Sequence, residues 1–155
     1  MEEQLEAFLI KAKKSTYANA SVEKIASSRR GSNDYEFSGD GMTYHDTFFG
    51  GTTFIGEEVV YKDGSSVPIW GMNYYGVTLD EELSEAAMDK VLRPALMMVG
   101  EGGVLPVRGP KEFTNGDYKY RFSVDGDLSA FEGIEEIYKG EVLIYKLHCT
   151  GGKII

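Results

Sequence analysis

Cysteine occurs once in this 155-residue chain, as Cys149, so no internal disulfide can form and the fold rests on its own core. Histidine occurs only twice. With one cysteine, that leaves too few soft ligands for the usual zinc or iron sites, and no metal or cofactor is expected. Cations are scarce: 16 Lys and Arg face 25 Asp and Glu, a formal net charge of −9. A nucleic-acid binder concentrates cations against phosphates, so neither DNA nor RNA is an expected partner. Long apolar runs are absent too, and nothing approaches the roughly 18 residues of a membrane span. The start, Met1-Glu2-Glu3-Gln4, lacks the basic and apolar pattern of a signal peptide. A cytoplasmic location without membrane contact is the expectation.

What is present is the composition of a globular domain, 42% hydrophobic and 26% charged. One domain spanning 1–155 is expected. Two helical patterns stand out. Glu2 to Lys14 places Leu5, Phe8, Leu9 and Ala12 at core-facing spacing, and Lys11, Lys13 and Lys14 at its end suit the helix dipole. Asp80 to Val99 carries Leu83, Ala86, Ala87, Val91, Ala95 and Leu96 on one side. Thr78-Leu79-Asp80-Glu81 reads as its capping box, and Pro94 predicts a kink or a split.

Strand patterns follow each helix, near 34–38, 42–49, 53–62 and 67–75, then near 112–113, 118–125, 129–139 and 142–150, with Asp63-Gly64 and Lys139-Gly140 as turns. Blocks match between the halves. Arg30-Gly31 with Asp34-Tyr35 faces Arg108-Gly109 with Glu112-Phe113, and Phe54, Gly56, Glu58 and Tyr61 face Phe131, Gly133, Glu135 and Tyr138. The expected fold is therefore α+β and internally duplicated, with repeat halves about 1–76 and 77–155. Each half is a helix followed by an antiparallel β-meander, packed about a pseudo-two-fold axis with a cleft between halves.

Ser28-Arg29-Arg30-Gly31-Ser32, the block Trp70-Gly71-Met72-Asn73-Tyr74-Tyr75-Gly76, and Arg108-Gly109-Pro110-Lys111-Glu112 resemble an uncharacterised bacterial domain-of-unknown-function family. The resemblance implies a domain found alone or fused behind Xre-type helix-turn-helix regulators. It implies no established activity, although such fusions suggest sensing.

Alternation puts Glu58 and Glu135 on the faces of Phe54 and Phe131, where a carboxylate must be paired, hydrogen-bonded or turned to a cleft. They are either ligand-binding acids or ion-pair partners of Arg30 and Arg108. Gly56 and Gly133 inside strands imply a bulge or a close approach. Tyr44, Trp70, Tyr74, Tyr118 and Tyr120 are either core or the wall of a wet pocket, which tyrosine tolerates through its hydroxyl. Arg30 and Arg108 either clamp an anion or close their own loops. His45-Asp46 and His148-Cys149 are adjacent pairs, so on strands their side chains part to opposite faces. The leading expectation is a small-molecule-binding or sensing domain for a cationic or amphipathic ligand. One alternative is a protein-interaction module using a sheet face or edge, which leaves room for a homodimer. Another is a carboxylate-dependent or metal-dependent hydrolase, for which His45 or His148 would have to meet Glu58 and Glu135.

Overall fold

The computed structural model describes residues 2–80 and 84–155. Helix α1 spans Glu2–Lys14, with Glu2 and Glu3 in its first turn and Lys11, Lys13 and Lys14 in its last, both favourable to the dipole. Its buried stripe is Leu5, Phe8, Leu9, Ala12 and, unexpectedly, Lys13. Four strands follow: β1 (Asn33–Gly39), β2 (Met42–Gly50), β3 (Thr53–Lys62) and β4 (Pro68–Thr78). The second helical segment consists of α2 (Ser84–Ala87), a π turn (Met88–Leu92) and α3 (Arg93–Leu96). Pro94 accounts for the interruption, because it offers no N–H to a carbonyl one turn back. The ladder slips there, and the Arg93 N–H bonds to the Met88 carbonyl in the wider π pattern. Glu81 of the expected capping box and Leu83 lie outside the described residues. A short 3₁₀ turn (Glu101–Gly103) precedes β5 (Glu112–Asn115), β6 (Tyr118–Asp127), β7 (Ala130–Lys139) and β8 (Val142–Lys153).

All eight strands join in one antiparallel sheet of order β1-β2-β3-β4-β8-β7-β6-β5. Inward residues of every strand meet the helices on one face, around Phe8, Leu9, Trp70, Val91, Leu92, Tyr120 and Leu147. Trp70 is fully buried, stacked on Phe131, and donates its indole N–H to the Leu128 carbonyl at 3.1 Å.

The duplicated helix-plus-meander arrangement does not occur. Strands β4 and β8 are hydrogen-bonded from Trp70↔Lys153 to Thr78↔Tyr145, so a continuous ladder runs where a cleft between halves was expected. Pairing there satisfies backbone groups that two separate sheets would leave at open edges. The helical segments are also unlike, one regular α-helix against three short pieces. Matched blocks have parted in role as well. Asp34 is buried and held by Ser28, Ser32 and His45, while Glu112 sits exposed on the edge strand beside Lys119 and Arg121.

The strand glycines Gly56 and Gly133 mark close approaches of neighbouring side chains and not bulges. The register shifts lie instead at Val60/Tyr61 and Ile137/Tyr138. Gly56 pairs with Tyr74, and a Cβ on it would stand 2.5 Å from the Tyr74 ring end and 2.7 Å from the Phe48 Cβ. The missing side chain is the space that the Tyr74 ring occupies. Gly56→Ala should therefore destabilise by about 1–3 kcal/mol through overpacking. Gly51→Ala, with no atom within 4 Å, should melt with the wild type. Equal melting temperatures for the two variants would sink this account.

Candidate functional site

Three carboxylates occur on the helix-facing side of the sheet: Asp46, Glu58 and Glu135, all buried. Burying a carboxylate unpaired is costly, so each must find a partner. Glu135 is completely enclosed. Arg108 grips it through two hydrogen bonds, Nε to Oε2 at 2.9 Å and Nη2 to Oε1 at 2.7 Å, while Tyr120 and Tyr145 donate their hydroxyls at 2.6 and 2.9 Å. This carboxylate is saturated by its own protein. Glu58 is paired with Lys13, which α1 delivers from its buried stripe. Lys13 also lies 5.8 Å from the centre of the Tyr44 ring.

Asp46 differs. It stands directly opposite Glu58 in the β2–β3 ladder, and no cation pairs with it among the described residues. Tyr74 donates its hydroxyl to Oδ1 at 2.6 Å, and no hydrogen bond reaches Oδ2 among the described residues. Burial first, and then repulsion from Glu58, raise its pKa to about 7, against the opposing pull of Tyr74, Lys13 and Arg108. Burial, with the neighbouring acids, also lifts the Tyr44 and Tyr74 phenols well above their ordinary range, so both remain protonated donors.

These groups form the floor of a cavity of about 270 Å³ between strands β1–β4, the end of α1 and the α3 segment. Tyr17, Tyr35, Phe48 and Phe54 supply aromatic walls, and Leu92, Leu96 and Val107 close the helical side. Tyr17, Tyr35 and Phe48 form a cluster with ring centres 5.8–6.5 Å apart. Two cations cap it: Arg93 over Tyr17 at 4.7 Å and Lys24 over Phe48 at 5.9 Å. The Nε of Arg93 is buried and makes no hydrogen bond among the described residues. Gly50 and Gly51, at the turn leaving β2, complete the lining.

Of the expected site residues, Glu58, Tyr44, Tyr74 and Arg108 meet in this cavity. Glu135 and Tyr120 lie behind Arg108, outside the lining. Trp70 belongs to the core, Tyr118 is half-buried beneath Lys139, and Arg30 is exposed in its loop. The ion pair considered between Glu58 and Arg30 is made by Lys13 instead. Neighbouring Arg29 reaches out to Glu57 at 3.2 Å.

Asp46 and Lys13 escaped the sequence reading, yet both carried a signal. Asp46 alternates with Tyr44 and Phe48 on an otherwise aromatic strand face. Lys13 follows Leu9 by four residues on the apolar stripe of α1. His45 points to the opposite face and bonds Asp34 at 2.8 Å, and His148 is exposed on that same outer side. Neither meets Glu58 or Glu135, and no group of three or more His, Cys, Asp or Glu placed to hold a metal occurs among the described residues. Burial pushes the Cys149 thiol up to about 12, which leaves it a poor nucleophile.

Two outcomes follow for stability. Arg108→Met would strand Glu135 without its cation, at a cost of about 3–5 kcal/mol, while Arg30→Met at its sequence counterpart should change stability by less than about 0.5 kcal/mol. Denaturant unfolding of both variants checks the contrast. The second concerns pH. A carboxyl with a raised folded pKa binds its proton more tightly folded than unfolded. Its stabilising contribution is full below the unfolded value, about 4, and is lost as pH rises through about 7. Asp46→Asn should therefore flatten the decline in melting temperature between pH 5 and pH 8. Parallel declines in the two proteins would show that Asp46 does not titrate there.

The family model for DUF5680, a domain of unknown function, matches residues 46–154. The match takes in Asp46, Glu58, Tyr74 and Arg108 and leaves out α1 with Lys13. Comparison with curated proteins and with solved structures finds no match.

Proposed function

The chain belongs to the DUF5680 family, whose defining domain has no known function, and we propose that it binds a small amphipathic molecule in the Asp46 cavity. The observation that carries this reading is the uncommitted Oδ2 of Asp46 at the floor of an aromatic-walled cavity. An apolar wall with a few convergent polar groups is the usual make-up of a small-molecule site. The cavity volume, about 270 Å³, lies just below the range for drug-sized ligands, which suits a molecule of one or two rings.

The charge balance revises the expected ligand class. A cationic or amphipathic ligand is expected where one or both of Glu58 and Glu135 line a cleft, and of these only Glu58 reaches the cavity. Lys13, Lys24, Arg93 and Arg108 line it against Asp46 and Glu58. Lys13 is spent on Glu58 and Arg108 on Glu135. Beside the aromatic cluster lie Lys24, which donates to Asn33 Oδ1 at 2.7 Å, and Arg93, whose Nη1 is 3.8 Å from Asp89 and whose Nε makes no hydrogen bond among the described residues. A ligand that fits has a flat apolar body against Tyr17 and Phe48, an anionic or acceptor group toward Arg93 and Lys24, and a hydroxyl or N–H toward Asp46. Hydroxylated aromatic acids have this pattern. The resemblance to domains fused behind Xre-type regulators is in keeping with binding that serves sensing.

A thermal-shift screen of hydroxybenzoates, phenylacetates, indoles and cationic amines tests the reading. A compound at 100 times its dissociation constant adds about 2.7 kcal/mol, a rise of several degrees for a domain of this size. The expected result is a rise with an aromatic acid that Asp46→Asn and Arg93→Gln each reduce. A preference for the amines, or shifts that survive both substitutions, would reject the proposed site.

A further inference from the structure

Helices cover only one face of the sheet, and the other carries an ordered pattern. Strand register lines up outward-facing residues in rows that cross the strands. One row reads Phe49↔Ile55, Ile55↔Tyr75, Tyr75↔His148, His148↔Ile134 and Ile134↔Ser123 from β2 to β6. The next row reads Thr47↔Glu57, Glu57↔Asn73, Asn73↔Thr150, Thr150↔Glu132 and Glu132↔Asp125 over the same strands. A stripe that is apolar at Phe49, Ile55, Tyr75 and Ile134, with His148 among them and Ser123 at its end, thus runs beside a polar, acidic one, and the two together line a groove of about 860 Å³.

The stripe is open at its centre, where Ile55 is 56% and Tyr75 48% exposed, while Ile134 is half-buried and Phe49 lies beneath Arg29 at 5.1 Å. Large apolar side chains aligned on adjacent strands make a patch of the kind that marks a contact surface. The acidic stripe is unbalanced. Arg29 answers Glu57, but Glu132 and Asp125 have no ion-pair partner among the described residues. The row on the other side of the apolar stripe differs, because Lys146 pairs with Glu136 and Arg121 with Glu112. Charge is thus compensated on one flank of the stripe and left over on the other.

From the apolar row and its one-sided acid flank we infer that this face docks a cationic amphipathic helix of a partner protein, laid across the strands. Its apolar side covers Ile55, Tyr75 and Ile134, and its Lys or Arg residues meet Glu132 and Asp125. Six strands at about 4.8 Å spacing span about 24 Å, the length of a helix of about 16 residues. Unpaired acids and a net charge of −9 disfavour both an anionic lipid surface and a second copy of this chain as the occupant. The inference is independent of the Asp46 cavity, which opens on the other face.

Fluorescence anisotropy with a labelled 16-residue peptide, leucine on one helical face and lysine on the other, tests it on the full chain. The double variants Ile55→Ser/Tyr75→Ser and Asp125→Lys/Glu132→Lys should each weaken binding at least tenfold. Glu112→Lys, on the compensated flank, should change it by less than threefold. All five positions are exposed, so the fold is retained, and thermal melts confirm this. Chemical-shift changes confined to the Ile55 and Ile134 methyl groups on peptide addition would place the contact directly. The inference is overturned if a sequence-scrambled peptide of the same composition binds equally, since attraction is then only to net charge. It is also overturned if all three variants bind like wild type, if the wild type binds anionic phosphatidylglycerol vesicles at this face, or if it sediments as a dimer that Ile55→Ser/Tyr75→Ser dissociates.

Discussion

The helix-facing side of the sheet holds three carboxylates and receives two cations for them, and the rest of the structure depends on that imbalance. Lys13 must come from α1 and Arg108 from the connection before β5, because the inward strand positions beside the acids are taken by aromatic and aliphatic residues. Each pair ties a piece of the helical layer to one spot on the sheet. Buried pairs of this kind add little net stability, since desolvation offsets most of the attraction. They do penalise every arrangement in which either partner lacks the other. The helical layer is therefore fixed in position by charge as well as by packing. The third acid, Asp46, is left with a tyrosine hydroxyl and an open side. A cavity forms beside it because no further side chain is sent to fill that space.

Much of the local structure was legible in the sequence because its signals are local. The alternation in Phe54 to Tyr61 and the glycine-marked turns define strands from a few neighbouring residues. The helix over Glu2–Lys14 and its disruption by Pro94 likewise need no distant information. What could not be read was the joining of β4 to β8. Backbone pairing between residues as far apart in sequence as Trp70 and Lys153 leaves no periodic trace in either strand. Matching blocks in the two halves invited a picture of packed repeats. Similar patterns are also what two four-strand meanders require simply to alternate, turn and bury one face, so the likeness did not constrain how the halves meet.

The site was half legible for a related reason. An acid on an aromatic strand face is conspicuous, and Glu58 and Glu135 stand out by that rule. Which cation answers each is a long-range fact. Lys13 looked like a residue of the helix terminus, where its charge also suits the dipole, so its second role was hidden behind a sufficient first one. Asp46 has His45 as its neighbour in sequence, but a strand separates neighbours and unites residues two apart. Comparing it with Tyr44 and Phe48 would have placed it in the wall of the cavity.

The same alternation gives the two faces of β3 and β4 different obligations. Inward positions are over-determined: Tyr74 fills the space that Gly56 leaves, reaches Asp46, and lies beneath the Arg108 guanidinium at 5.8 Å. Outward positions a single residue away carry Glu57, which Arg29 meets, and Ile55 and Tyr75, which stay exposed. An antiparallel sheet with one solvated face normally sets polar side chains outward. Threonine or lysine would meet every structural need at Ile55 and Tyr75. The core therefore does not account for the apolar row, whereas it accounts fully for Trp70, Met72 and Val60. Residues that the fold does not need, aligned across strands that it does need, are best explained by something outside the fold.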